Sequence, residues 1–108
     1  MRDRLVIRRP RAAQDILDAV DYYFGEGGAP AASGFAAAIE KAFRHLGRYP
    51  STGSERYASE LGLQGLRCWP LSRYPFQIFY SEGKEHVDVW RILHGQRDIP
   101  SSLKDPEC

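Results

Sequence analysis

The stretch Val87-Asp88-Val89-Trp90-Arg91-Ile92-Leu93-His94-Gly95-Gln96-Arg97-Asp98 decides how this chain is read. It opens as an alternating strand, with Val87, Val89, Arg91 and Leu93 directed one way and Asp88, Trp90, Ile92 and His94 the other. Gly95 then permits a sharp change of direction, and around it sit His94, Gln96, Arg97 and Asp98. Strand ends that carry such polar clusters often meet a functional surface.

Working back from that strand, Glu82-Gly83-Lys84 supplies a tight hairpin to a run over 74–81, and Pro70 and Pro75 bound the connection to a further run over 63–69. The three runs predict an antiparallel meander. Upstream, Ala13, Ile16, Leu17, Val20, Tyr23 and Phe24 recur at helical spacing with Asp15, Asp18 and Asp21 on the outer side, and Pro10 suits the first turn. Gly25, Gly27 and Gly28 end that helix. Pro30 opens a second, alanine-rich one to about Leu46, with Phe35, Ile39, Ala42, Phe43 and Leu46 as its apolar stripe.

The short connector makes the two helices an antiparallel hairpin over 10–47. Leu5-Val6-Ile7 adds a strand ahead of them. The fold class is therefore α+β, ordered β-α-α-β-β-β, with the N-terminal strand and the helical hairpin packed on one face of a small antiparallel sheet. The residues from Tyr49-Pro50 to about Gly62 read as a long polar loop. Both faces of the last two strands carry large apolar residues, so the side away from the hairpin is expected to bind a protein partner.

At 108 residues the chain is one domain, 1–108, with an ordered core over about 4–99 and a flexible tail over 100–108. No apolar run is long enough for a transmembrane span, and Met1-Arg2-Asp3-Arg4 lacks the apolar segment of a signal peptide, so a cytoplasmic location is expected. Cys68 and Cys108 match no zinc or redox spacing. Neither a metal nor another cofactor is expected. The net charge of +1 is uneven, since Arg2, Arg4, Arg8, Arg9 and Arg11 crowd the N-terminus. That is a local basic arm, too little to predict direct sequence-specific nucleic-acid binding.

Several short motifs, taken in order, carry a resemblance: Ala13, Asp15 and Ile16 at the helix start, Tyr49-Pro50 with Gly53, Leu66-Arg67, Pro75-Phe76-x-Ile78-Phe79-Tyr80, and Arg91-Ile92-Leu93-His94-Gly95-Gln96-Arg97-Asp98. Together they resemble the ParE/RelE superfamily of type II toxins over about 4–99, and the ending looks most like the ParE branch. The resemblance implies a toxin neutralised by a cognate antitoxin, ParD-like and of ribbon-helix-helix type. On the ParE branch the target is DNA gyrase, inhibited by binding; on the RelE branch the protein is a ribosome-dependent mRNA endoribonuclease.

RNA cleavage needs a base, clustered cations and an acid. Arg67, His94 and Arg97 are the candidates, with His94 as the group that titrates near neutrality. RelE-like nucleases commonly place a Tyr or His beyond the last basic residues, where this chain has Asp98-Ile99-Pro100. That departure favours the ParE reading, in which the protein is not an enzyme. On that reading Gln96, Arg97 and Asp98 form the target contact, and Arg67, Phe79, Trp90, Arg91 and Ile92 the antitoxin contact. Structural roles compete for several of these. His94 can bond the backbone or Asp98, and Arg67 and Arg91 can cover the sheet or pair with carboxylates such as Glu60 or Asp88.

Overall fold

A computed structural model describes residues 3–95 together with Ile99 and Leu103. The order is β1 (Leu5–Arg8), α1 (Pro10–Arg48), a 3-10 turn (Pro50–Thr52), α2 (Arg56–Leu61), β2 (Leu66–Pro70), β3 (Phe76–Glu82) and β4 (His86–His94). The four strands make one sheet in the order β1-β4-β3-β2. The predicted antiparallel meander holds for β2, β3 and β4, whereas β1 joins β4 in parallel, so the sheet is mixed. A parallel neighbour is reached by a crossover, and the helical segment between β1 and the meander is that crossover.

Within α1 the residues Gly27 (φ −147°, ψ 15°) and Gly28 (φ 73°, ψ −161°) are not helical. The helix folds back on itself there. A straight helix from Tyr23 to Phe35 would separate them by about 18 Å, yet their rings stack with centroids 5.2 Å apart. A straight 39-residue helix would also run about 58 Å, beyond the 38 Å longest dimension of the molecule. The expected hairpin is thus formed, and Gly28 enables it because its φ and ψ lie in a region almost closed to other residues.

Both arms of α1 cover one face of the sheet. Ala12, Ile16 and Ala19 from the first arm and Phe35, Ile39, Ala42 and Leu46 from the second pack with Ile78, Tyr80, Val87, Val89 and Ile92. Each large side chain buried this way contributes roughly 1.5–3 kcal/mol. The aromatic run at the helix end divides: Tyr23 packs among Phe35, Tyr74 and Phe76, while Tyr22 and Phe24 are exposed.

The opposite face departs from expectation. Tyr57 of α2, with Ile99 and Leu103, closes over Leu66, Cys68, Phe79 and Leu93 as a second core. α2 lies inside the stretch read as a polar loop, where only Tyr57, Ala58 and Leu61 give it an apolar side. Leu103 falls in the expected tail and is nonetheless buried.

One irregularity reassigns the faces of β4. Phe79 pairs with Arg91 and Tyr80 with Val89, which leaves Trp90 as an extra residue. Past such a bulge the alternation is out of step. Ile92 therefore joins Val87 and Val89 against α1, while Trp90 and Leu93 belong to the second core.

Gly28→Ala is expected to lower unfolding free energy by about 1–3 kcal/mol in urea melts, because a Cβ disfavours the fold-back conformation. Gly25→Ala, in helical backbone with nothing within 4 Å of a new Cβ, should instead stabilise by about 0.5–1 kcal/mol.

Candidate functional site

Arg91 is the largest charged group in the core, only 2% exposed. Its Nε donates to Asp15 Oδ2 at 2.7 Å and its Nη2 to Asp15 Oδ1 at 2.9 Å, a fork-to-fork pairing. The backbone amide of Ile92 also donates to Asp15 Oδ2, at 3.0 Å. β1 stops pairing with β4 at Val89. Beyond that point the β4 amide on this edge has no strand to meet, and the helix carboxylate takes the place of the missing neighbour. Arg91 thus pairs with Asp15, whereas Asp88 is one of the carboxylates expected from the sequence. Asp88 is held instead by Arg9, through Nε and Nη2 at 3.2 and 2.7 Å, and the Arg9 guanidinium lies over the Trp90 ring at 4.4 Å.

Arg67 is occupied in a different way. Its Nη1 donates to the carbonyls of Ser51 and Gly53 at 3.1 and 2.9 Å, and its Nη2 meets Glu55 at 3.2 Å, so Glu60 is not its partner. Tyr80 pins the same loop from the core side, accepting from Gly53 N at 2.9 Å and donating to the Pro50 carbonyl at 2.8 Å. A Cβ on Gly53 would run into the Tyr80 ring and hydroxyl. Three separate sequence motifs, Tyr49-Pro50 with Gly53, Leu66-Arg67 and the Tyr80 end of β3, are therefore one construction. Burial pushes the Tyr80 hydroxyl pKa up, which keeps it neutral as a donor. Glu82 joins through Ser51 Oγ and Arg4 Nη1, and the Arg4 hydrogen bond holds it below the usual carboxylate range.

His94 sits at the end of β4 with its ring edge-on to Phe76 at 5.2 Å. It borders a groove of about 430 Å³ whose walls include Asp15, Asp18, Tyr22, Tyr23 and Phe76. Register sets Arg67 opposite Tyr80 and His94 opposite Phe76, on either side of β3. Four residues along that strand and two interstrand steps separate them by about 13 Å and 10 Å respectively. The structure does not bring Arg67 and His94 to one point. Gln96, Arg97 and Asp98 lie outside the described residues, so the target contact and the third nuclease candidate, Arg97, have no described geometry.

The antitoxin set divides by exposure. Phe79, Arg91 and Ile92 are buried by the chain's own helices and second core, which removes them as surface contacts in the free protein. The bulge also parts Trp90 from Ile92, so they do not share one groove wall. Arg67 and Trp90 remain partly accessible. Sequence periodicity missed Asp15 as the core partner, because its spacing matches the outward Asp18 and Asp21 and only the position of β4 distinguishes it.

Cys68 is buried, donates from Sγ to Gln77 Oε1, and burial pushes its thiol up to about 11. A neutral thiol is a poor nucleophile. Among the described residues, no group of three or more His, Cys, Asp and Glu could hold a metal, and no helix is long and apolar enough to cross a membrane.

The chain and its fold both have counterparts among known proteins. A family model described as the ParE toxin of the type II toxin-antitoxin system, parDE, matches residues 6–99. The chain belongs to that family. Among solved structures it is similar to a chain described as the chromosomal ParDE TA system from P. aeruginosa, with a TM-score of 0.70 at 19% identity, covering 84% of this chain and 95% of that one. That likeness is one of fold. No curated protein matches the sequence.

Asp15→Ala is expected to cost about 3–5 kcal/mol in denaturant unfolding, since it removes the carboxylate that takes a two-pronged bond from buried Arg91 and a third from the Ile92 amide. Replacing both partners by apolar residues of similar size should recover only part of that loss, because the buried Ile92 amide still lacks its acceptor. In a Cys108→Ser background, iodoacetamide at pH 8 should leave Cys68 unmodified until urea unfolds the chain, as followed by mass spectrometry.

Proposed function

We propose that this protein is a growth-inhibiting toxin that acts on DNA gyrase by binding it, and that a ParD-like, ribbon-helix-helix antitoxin neutralises it in the cytoplasm. The observation that carries the reading is the family match over nearly the whole chain. Its support from geometry is the separation of Arg67 from His94, and the use of Arg67 to hold a loop. An RNA-cleaving centre needs its cations and its acid or base on one phosphate. Binding makes no such demand.

On this reading Gln96, Arg97 and Asp98 make the target contact. In sequence they follow directly on the strand that the Asp15–Arg91 pair anchors, and His94, near the end of that strand, borders a groove with Tyr22 and Phe76. Arg67 and Trp90 are the accessible members of the antitoxin contact, with Phe79, Arg91 and Ile92 shaping the sheet beneath. No cofactor is required.

Expression from an inducible promoter without antitoxin should arrest growth with filamentation. Purified protein should inhibit gyrase supercoiling and raise cleavage complexes, and Arg97→Ala should weaken both by roughly tenfold or more, as loss of a charge-assisted contact allows. Unchanged supercoiling and cleavage-complex levels would sink the gyrase reading. New A-site cuts in toeprints of translating ribosomes would move the protein to the endoribonuclease class.

A further inference from the structure

The two edges of the sheet are finished differently. At β2 the outward backbone groups are used: Ser54 N donates to the Cys68 carbonyl at 2.8 Å and Cys68 N to the Ser54 carbonyl at 2.9 Å, while Pro70 has no N–H. That edge is closed to another strand. At β1, Arg9 N donates to the Val89 carbonyl at 2.9 Å, so Leu5, Ile7 and Arg9 face β4 and Val6 and Arg8 face away from it. Arg4, the residue before β1, donates its amide to the Gly47 carbonyl at the end of α1, at 2.8 Å. Among the described residues, the N–H and carbonyl groups of Val6 and Arg8 have no backbone partner.

This open edge is short, four residues, and carries charge at Arg8 on one face only, while Leu5 and Ile7 leave the other face apolar. Leu5 and Ile7 are 68% and 45% exposed, on the face opposite Val6, which packs against α1. On the α1 side of the edge stand two cations. The Arg8 guanidinium lies 5.7 Å over the Phe43 ring, and Arg44 with Phe43, Val6, Arg4 and Asp3 lines a shallow groove of about 290 Å³ along the edge, the Asp3 carboxylate being paired with Arg48 at 3.4 Å. Neither Arg8 nor Arg44 has an ion-pair partner among the described residues. Pairing with a second copy of β1 would set these cations against their equals, which is unfavourable across a strand pair.

We propose that the open edge of β1 is a strand-addition site for an extended acidic segment of a protein partner. Val6 and Arg8 supply the ladder hydrogen bonds, Arg8 and Arg44 meet carboxylates on the α1 side, and Leu5 and Ile7 meet apolar side chains on the other. The partner segment accordingly alternates acidic and apolar residues. On the toxin reading above, that partner is the antitoxin; the edge itself is assigned independently of that reading.

The probe is a capped, labelled peptide of alternating glutamate and valine, followed by fluorescence anisotropy, with hydrogen exchange of the full chain read at the Val6 and Arg8 amides. Binding should slow exchange at both. Arg8→Pro removes an outward N–H without touching the ladder to β4, and should weaken binding roughly tenfold or more. Arg8→Glu/Arg44→Glu, at exposed positions, should do the same and guards against a proline that merely disturbs β1. A peptide with lysine in place of glutamate should also bind roughly tenfold or more weakly. No detectable binding, unprotected amides, equal affinity for the lysine peptide, or a chain that self-associates through β1 would each overturn the assignment. If the cognate antitoxin binds while Val6 and Arg8 exchange as before, the edge assignment fails and the antitoxin reading stands. If the peptide binds and protects the edge but no antitoxin does, the reverse holds.

Discussion

The pairing of Asp15 with Arg91 and with the Ile92 amide is the constraint on which the rest of the molecule turns. β4 needs a partner on the side where β1 has ended, and an unpaired buried amide beside an unpaired guanidinium would be costly. One carboxylate from the first turns of α1 satisfies both. It thereby fixes where the helical hairpin sits along the final strand. The bulge at Trp90 belongs to the same arrangement, since by shifting the alternation it delivers Ile92 rather than Leu93 to the hairpin face and turns the Ile92 amide outward to Asp15.

A second constraint acts at the other end of the sheet. Tyr80 and Arg67 hold the loop after α1 by its carbonyls and by Gly53 N, and Glu82 holds it by Ser51. Arg67, one of the residues that a catalytic reading would recruit, is thereby committed to backbone carbonyls. A guanidinium already donating to two carbonyls and a carboxylate has little left for a phosphate. The family to which the chain belongs is one of toxins of paired systems.

Much of the fold was legible in the residues. The hairpin of helices followed from two apolar stripes parted by Gly25, Gly27 and Gly28, and the meander from three alternating runs parted by prolines and by Glu82-Gly83-Lys84. The motifs that carried the family resemblance were legible too, though as separate marks. That Gly53, Arg67 and Tyr80 touch one another could not be read, because 27 positions separate Gly53 from Tyr80 and only strand register brings them together. α2 escaped because six residues with a single buried aromatic give almost no periodic signal.

What the sequence determined by itself is therefore local: which segments are helical or extended, where glycine and proline break them, and which side of each is apolar. Those properties depend on dihedral preference and on side-chain spacing along one segment. The tertiary structure alone decided that β1 runs parallel to β4, that one β4 residue is bulged, that Asp15 turns inward while Asp18 faces a groove, and that the second sheet face is closed by α2, Ile99 and Leu103. The physical reason is common to all four. Each is settled by which groups must be paired or buried once distant segments meet, and that balance does not exist until the chain has folded.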